Sequence, residues 1–156
     1  MLRRAAKGGD EEVIDIGQVG EVQEVRPEVI KSLQKEGFIP VISPVGVGQK
    51  GESYNINADY VASAIAASLR AEKLILLTDV SGIKDASGKV LSTLTKEDVM
   101  RLINEGTISG GMLPKVQACL RALDKGVSKN HIIDGRVPHS LLLEIFTKEG
   151  IGTEIV

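Results

Sequence analysis

Tryptophan is absent from this chain, and the aromatic share is only 3%, two Tyr and two Phe among 156 residues. A core without large rings has to be filled by Val, Ile, Leu and Ala, as in buried parallel sheets under closely packed helices. Cysteine occurs once, at Cys119, which excludes an internal disulfide framework and agrees with a reducing compartment. No apolar run reaches the roughly 18 residues that a membrane-crossing helix needs. Neither sign of charge dominates: 19 Lys and Arg against 21 Asp and Glu leave a net charge of −2. With no basic stripe along any helix face, a dedicated nucleic-acid binder is not expected. The opening Met1–Lys7 segment is basic but lacks the apolar stretch of a signal peptide. A cytoplasmic setting is expected, or an organellar stroma if the source is a plant or alga. Missing too is the phosphate loop G-x-x-x-x-G-K-[ST], so any nucleotide chemistry has to be built another way.

What remains is an ordinary globular composition, 42% apolar and 26% charged, long enough for one domain, residues 1–156, with a real core. Residues 1–10 give no clear element beyond a short basic lead, possible as a helix, ending at Gly8-Gly9. Val13–Gly17 and the alternating Val19–Val25 read as two short strands meeting at Gly17-Gln18. Pro27 opens a helix that stops at Gly37. Phe38–Val45 is an apolar run of strand length whose two prolines require an edge position or bends. Gly46, Gly48 and Gly51 have dinucleotide-fingerprint spacing, but the next helix starts only near Ala58, so the context fails and the segment reads as a turn or tight hairpin. A helix from Ala58 leads to Leu74–Thr78, a central strand by its unbroken hydrophobicity. Ser87-Gly88-Lys89 is a turn. Thr95 and Asp98 form a capping box before a helix that ends at Gly106. A further helix carries Val116, Cys119, Leu120 and Leu123 on its buried stripe, which makes Cys119 a core residue. His131–Asp134 is a strand, a helix opened by Pro138 turns Leu141, Leu142, Ile145 and Phe146 inward, and Ile151–Val156 closes the chain as a strand. The order implies a three-layer α/β domain, αβα, with an open, mostly parallel sheet and a β-hairpin.

Chemistry concentrates at two loop-to-helix junctions. At the first, Asn55, Asn57 and Asp59 precede the Ala58 helix, where free N–H groups gather; helix capping and anion binding both explain them. At the second, Ser109-Gly110-Gly111 lets backbone approach a ligand, and Lys115 sits in the first helical turn, where a cation opposes the helix dipole. Lys115 either reaches into water or is aimed at an anion held by the turn. Asp79–Lys84 lies beyond the carboxyl end of a strand, where ligands collect in open α/β sheets.

Tyr54–Asp59, Lys73–Ile83, Ile108–Val116 and His131–Arg136, in this order, resemble the acetylglutamate kinases of the amino-acid kinase family. The resemblance runs from about residue 8 to the end and covers only the family's C-terminal, nucleotide-binding part. That family's N-terminal half, with a phosphate-binding lysine, a Gly-Gly loop and a substrate arginine, has no counterpart here, so the chain is expected to be a partial one. The resemblance implies an amino-acid kinase or carbamate kinase-like fold and ATP-dependent phosphorylation of the side-chain carboxylate of N-acetyl-L-glutamate, in arginine biosynthesis. Another acceptor (glutamate, aspartate or carbamate) or a nucleotide-binding fragment without turnover are the alternatives. By the same resemblance Lys115 and Asp59 are catalytic, Lys115 against the transferring phosphoryl charge and Asp59 as organiser, and Asn55 binds the acetylglutamate. Asp79, Val80, Ser81, Gly82, Ile83, Lys84, Thr107, Ile108 and Ser109 line the ATP site, and Mg²⁺ rides on the ATP phosphates without a dedicated protein site. The tail, with His139, Glu144, Gly150 and Gly152, resembles members inhibited by arginine, Glu144 being the partner for a guanidinium. The full-length protein is expected to be a homo-oligomer.

Overall fold

A computed structural model describes the backbone of residues 2–5 and 11–14, and residues 17–147 and 150–156 in full. Gly8, Gly9, Asp15, Ile16 and Glu149, which entered the sequence reading, lie outside these. In chain order, β1 (Leu2–Ala5) pairs antiparallel with β2 (Glu11–Ile14), α1 spans Glu28–Lys35, and β3 (Val45–Val47) and β4 (Ser53–Asn55) form an antiparallel hairpin. Then come α2 (Ala58–Leu69), β5 (Lys73–Thr78), β6 (Thr93–Leu94), α3 (Lys96–Asn104), α4 (Met112–Asp124), β7 (Lys129–Asp134), α5 (Ser140–Phe146) and β8 (Thr153–Ile155). The main sheet has the order β5-β7-β8-β6. Parallel pairing joins β5 to β7 and β6 to β8, and an antiparallel ladder joins β7 to β8, so the sheet is mostly parallel.

Local sequence explains the elements that carry the core. Asn57 caps α2 through its side chain, and Thr95 and Asp98 close the expected capping box on α3. Leu74 and Leu76 of β5 and Ile132 of β7 face one side, where they meet Ala66 of α2, Val116, Cys119 and Leu120 of α4, and Val99 and Leu102 of α3. On the other side His131, the alternate residue of β7, reaches Glu144 of α5. Helices therefore cover both faces of the sheet and the three layers are present. Each helix leads back into a strand: α2 into β5 and α4 into β7. A helix of 12 residues and a strand of six have matching lengths, about 18 and 20 Å. The N-termini of α2 and α4 thus stand at the carboxyl ends of β5 and β7.

Five sequence expectations need correction. The basic lead contains a strand, β1, and, among the described residues, no helix. Val19–Val25 is not a strand; only Val19 makes a bridge, to Asn55, and the remainder runs without regular pairing. Phe38–Val45 is not a buried strand either: Ile39 and Val41 are 90% and 96% exposed. Pro40 and Pro44 have no N–H to donate, and only the end of the segment meets a strand: Val45 opens β3 opposite Asn55, and the Pro44 carbonyl accepts from the Ile56 N–H. Strand β5 is an edge of its sheet and not its centre. On α5, Leu141, Leu142, Ile145 and Phe146 are exposed, and the side chain turned inward is Glu144.

The tightest backbone approach is at Gly152, just before β8. A Cβ there would stand 2.3 Å from the Ile132 carbonyl oxygen and 2.7 Å from Ile133 Cγ2. Neither can yield without moving β7, the middle of the sheet. Gly152→Ala should therefore cost about 3 kcal/mol in urea unfolding. An unchanged midpoint would show that β8 can be displaced without loss.

Candidate active site

Four segments converge on the carboxyl edge of β5 and β7. The first is the start of α2. Asn57 Oδ1 accepts from the backbone N–H groups of Asp59 and Tyr60, at 3.0 and 3.2 Å. Capping thus falls to Asn57, and the Asp59 carboxylate is left for another partner. That partner is Lys115 in the first turn of α4: its Nζ lies 3.3 and 3.2 Å from the two carboxylate oxygens. Both side chains are mostly withdrawn from solvent, 23% exposed for Lys115 and 18% for Asp59. The cation that opposes the α4 dipole is therefore neutralised across the helix seam, and Lys115 keeps one open side. Cys119 lies on the same helix, fully buried, and its thiol is pushed up to about 12, first by burial and then by the Asp59 charge. It is a core side chain and no nucleophile.

The second segment leads into α4. Ile108 is buried and its N–H donates to the Leu102 carbonyl, anchoring the loop. Ser109 and Gly110 then accept from the N–H groups of Met112 and Leu113. Thr107 is half-buried and Ser109 exposed. Gly111 has nothing within 4 Å of the position a Cβ would take, so the backbone beside Lys115 is open to a ligand. The third segment follows β5. Asp79, Val80 and Lys84 are exposed, and Asp79 accepts a hydrogen bond from the Thr78 hydroxyl. Gly82 and Ile83 turn away from this opening: the Ile83 N–H donates to Thr153 Oγ1 at 2.8 Å, and a Cβ on Gly82 would collide with that hydroxyl. They fasten the loop to β8, with Ser81 half-buried between the two roles.

The fourth segment, after β7, was not picked out as a site from sequence. Gly135 N–H donates to the Thr78 carbonyl, which ties this turn to the end of β5. Arg136 grips Asp134 through Nε at 2.9 Å and a terminal nitrogen at 2.8 Å, and Asp79 also acts on its charge. The sequence signals were a strand ending in Asp-Gly-Arg and the place of His131–Arg136 among the four motifs of the family resemblance. Asn55, expected to bind substrate, is exposed at the end of β4, where its backbone bonds to Gln18 and Gly20 and leaves the side chain outside the ladder.

The expected effector residues divide. His139 stands before α5 in the left-handed region, φ 58. Glu144 is withdrawn from solvent: Oε1 lies 2.6 Å from His131 Nδ1, and Oε2 accepts from the Ile151 N–H at 2.7 Å. Gly150 lies directly against Glu144, while Gly152 packs on β7. His131 as the partner of Glu144 was not visible in sequence, because thirteen positions separate them and the turn between β7 and α5 decides whether they meet.

A lysine on a helix N-terminus, beside a bare Gly-Gly backbone at the carboxyl edge of parallel strands, is an arrangement for holding a phosphorylated ligand. The amino acid kinase family model matches residues 3–134. The chain belongs to this family. Acetylglutamate kinase of Citrifermentans bemidjiense is 60% identical over 150 residues, covering 96% of this chain and 51% of that one. Among solved structures, N-acetylglutamate synthase from Neisseria gonorrhoeae, complexed with coenzyme A and L-arginine, is 27% identical with a TM-score of 0.85, covering 99% of this chain and 35% of that one. Carbamate kinase from Giardia lamblia shares the fold, with a TM-score of 0.71 at 20% identity over 99% of this chain and 51% of that one. The chain spans about half the length of the curated relatives it matches.

Arg136 holds the Asp134 carboxyl down to about 2 from an ordinary 3.8, through its guanidinium and then its backbone N–H. An unfolded Asp134 takes up a proton near 3.8 while the folded one stays charged to about 2. The stability drawn from the clamp is whole above that window and is lost as the pH falls through it. Asp134→Asn should lower the urea midpoint at neutral pH, and the two proteins should converge as the pH approaches 2. Equal midpoints at neutral pH would mean that the clamp adds nothing.

Proposed function

We propose that these residues form the nucleotide side of an acetylglutamate kinase, which transfers the terminal phosphoryl group of ATP to the side-chain carboxylate of N-acetyl-L-glutamate. The observation that carries this reading is the Asp59–Lys115 pair at the shared edge of β5 and β7. Phosphoryl transfer asks a protein for positioning and charge stabilisation and for little covalent chemistry. Lys115, with its stem fixed on α4, presents a positive charge that Asp59 orients without needing to act as a base. The uncovered backbone at Gly110 and Gly111 lets phosphate oxygens come close to the start of α4. Asn55 would hold the acetylglutamate. Asp79, Val80, Ser81, Lys84, Thr107 and Ser109 would line the nucleotide, with Gly82, Ile83 and Ile108 as the anchors that shape its loops. ATP supplies the phosphoryl group and brings Mg²⁺ on its phosphates. Among the described residues no group of three or more His, Cys, Asp or Glu forms a metal cluster.

The curated relatives named acetylglutamate kinase support the choice of acceptor, at 56–60% identity. Their chains are about twice as long. We therefore read the 156 residues as the C-terminal ATP-binding portion, with the substrate-binding portion on further polypeptide. Alone, they should bind nucleotide without turnover. Cytoplasmic location, homo-oligomer formation by the whole enzyme and inhibition by arginine belong to the same proposal. For the last, Glu144 would exchange His131 or the Ile151 N–H for a guanidinium, with His139, Gly150 and Gly152 nearby on the tail.

Substituting these residues for the matching part of the Citrifermentans bemidjiense enzyme gives a testable chimaera. ADP release should be fastest with N-acetyl-L-glutamate, against glutamate, aspartate and carbamate. Activity on free glutamate but not on its acetylated form would overturn the choice. In the chimaera, Lys115→Ala should lower kcat by about a hundredfold or more while the KM for ATP moves only a few-fold. Equal losses would assign Lys115 to ground-state binding.

A further inference from the structure

We propose that Tyr60 is a positioning residue for Lys115, acting as a clamp that fixes the first turn of α2 against α4. The inference rests on the reading of Asp59 and Lys115 as the working pair. Tyr60 follows Asp59 directly, and its hydroxyl donates to Gln117 Oε1 at 2.9 Å, two residues beyond Lys115. Arg121, one turn further along α4, places its guanidinium carbon 4.4 Å from the centre of the Tyr60 ring. A turn deeper, the buried Ser63 hydroxyl donates to the Ala118 carbonyl at 2.8 Å. These contacts continue the seam on which the Asp59–Lys115 pair lies.

The geometry matters because a lysine is a poor ruler. Its stem has four flexible carbons, and an ion pair tolerates several arrangements. A tyrosine ring turns about two torsions only, and here a hydrogen bond holds its far end while a cation covers its face. Asp59 and Tyr60 share one helical turn, so locking the ring to Gln117 and Arg121 locks the distance from Asp59 to α4. Positional errors of about 1 Å at a reacting centre can cost about a hundredfold in rate. A clamp one residue from the organising carboxylate therefore acts where precision counts.

An amine whose N–H groups are held by a carboxylate meets an acylating reagent less freely than one turning in solvent, and Lys115 Nζ is held in this way by both Asp59 oxygens. Lys115 reactivity therefore reports on the pair without any nucleotide or turnover. The test is trace labelling of the native chain with isotopic acetic anhydride, read by mass spectrometry, with exposed Lys31 and Lys125 as internal references and a melting curve for each variant. Asp59→Asn should raise Lys115 labelling about fivefold, the factor an ion pair of this exposure contributes. Tyr60→Phe should raise it about twofold while the references and the melting temperature stay within error. Gln117→Ala, which removes the acceptor from an exposed position, should do the same. In Asp59→Asn/Tyr60→Phe the labelling should equal that of Asp59→Asn alone, because the clamp acts through the carboxylate. Unchanged Lys115 labelling in Tyr60→Phe, or two effects that simply multiply, would overturn the proposal. A chimaera without kinase activity would overturn the kinase reading and leave this outcome untouched.

Discussion

The parallel ladder between β5 and β7 is the constraint on which the rest of the site depends. Its register sets Thr78 opposite Asp134, so both strands end at the same level. Each strand is entered from a helix that runs the opposite way, and so the two helix starts are brought to one edge. Neither Asp59 nor Lys115 would meet the other if the ladder slipped by a residue, because a slip would also turn Leu76 and Ile132 out of the core they share. The register of the core and the geometry of the site are thus one specification. Gly152 adds to it from the far side, since β8 can lie against β7 only without a side chain at that position.

Magnitudes indicate what the Asp59–Lys115 pair is for. A cation in the first turn of a helix is unfavourable by about 0.3–1 kcal/mol. A largely exposed ion pair returns about 0.2–1 kcal/mol, and partial burial adds a desolvation cost for both groups. The terms nearly cancel, so the pair adds little to stability. Arg136 and Asp134 differ: two charge-assisted bonds at short range, and a backbone donor on the same carboxylate, make a clamp that ties the turn in place. Of the two ion pairs at this edge, the Asp134–Arg136 clamp is the one that holds structure.

Much of this was readable from residues alone. The helices at Ala58, Lys96 and Met112 announce themselves by Asn57, by Thr95 with Asp98, and by Pro114, because capping is local chemistry. The core stripe of α4 follows from spacing. Asp59 and Lys115 were recognisable as a pair of interest from their junctions and from the family resemblance, although Asn57 and not Asp59 does the capping. The contacts that link distant segments were not readable: Tyr60 with Gln117 and Arg121, His131 with Glu144, Arg136 beside Asp79. Each joins residues whose separation in sequence carries no signal, and each depends on a register fixed only by the fold.

The failures share a cause. Phe38–Val45, the centre of a sheet at β5 and the inward face of α5 were all read from apolar sequence, and each carries exposed apolar side chains, Ile39 at 90%, Leu77 at 52% and Phe146 at 79%, although Leu74 and Leu76 of β5 are buried in the core. Apolar patterning specifies that a residue is buried in the working protein, and it says nothing about which residues do the burying. An edge strand as apolar as β5 is a template for another strand. The proposal that the working enzyme contains further polypeptide accounts for these three exposures with one cause. On that reading the sequence rules did not fail at these segments; they described burial in a larger sheet, of which β5 is an inner strand.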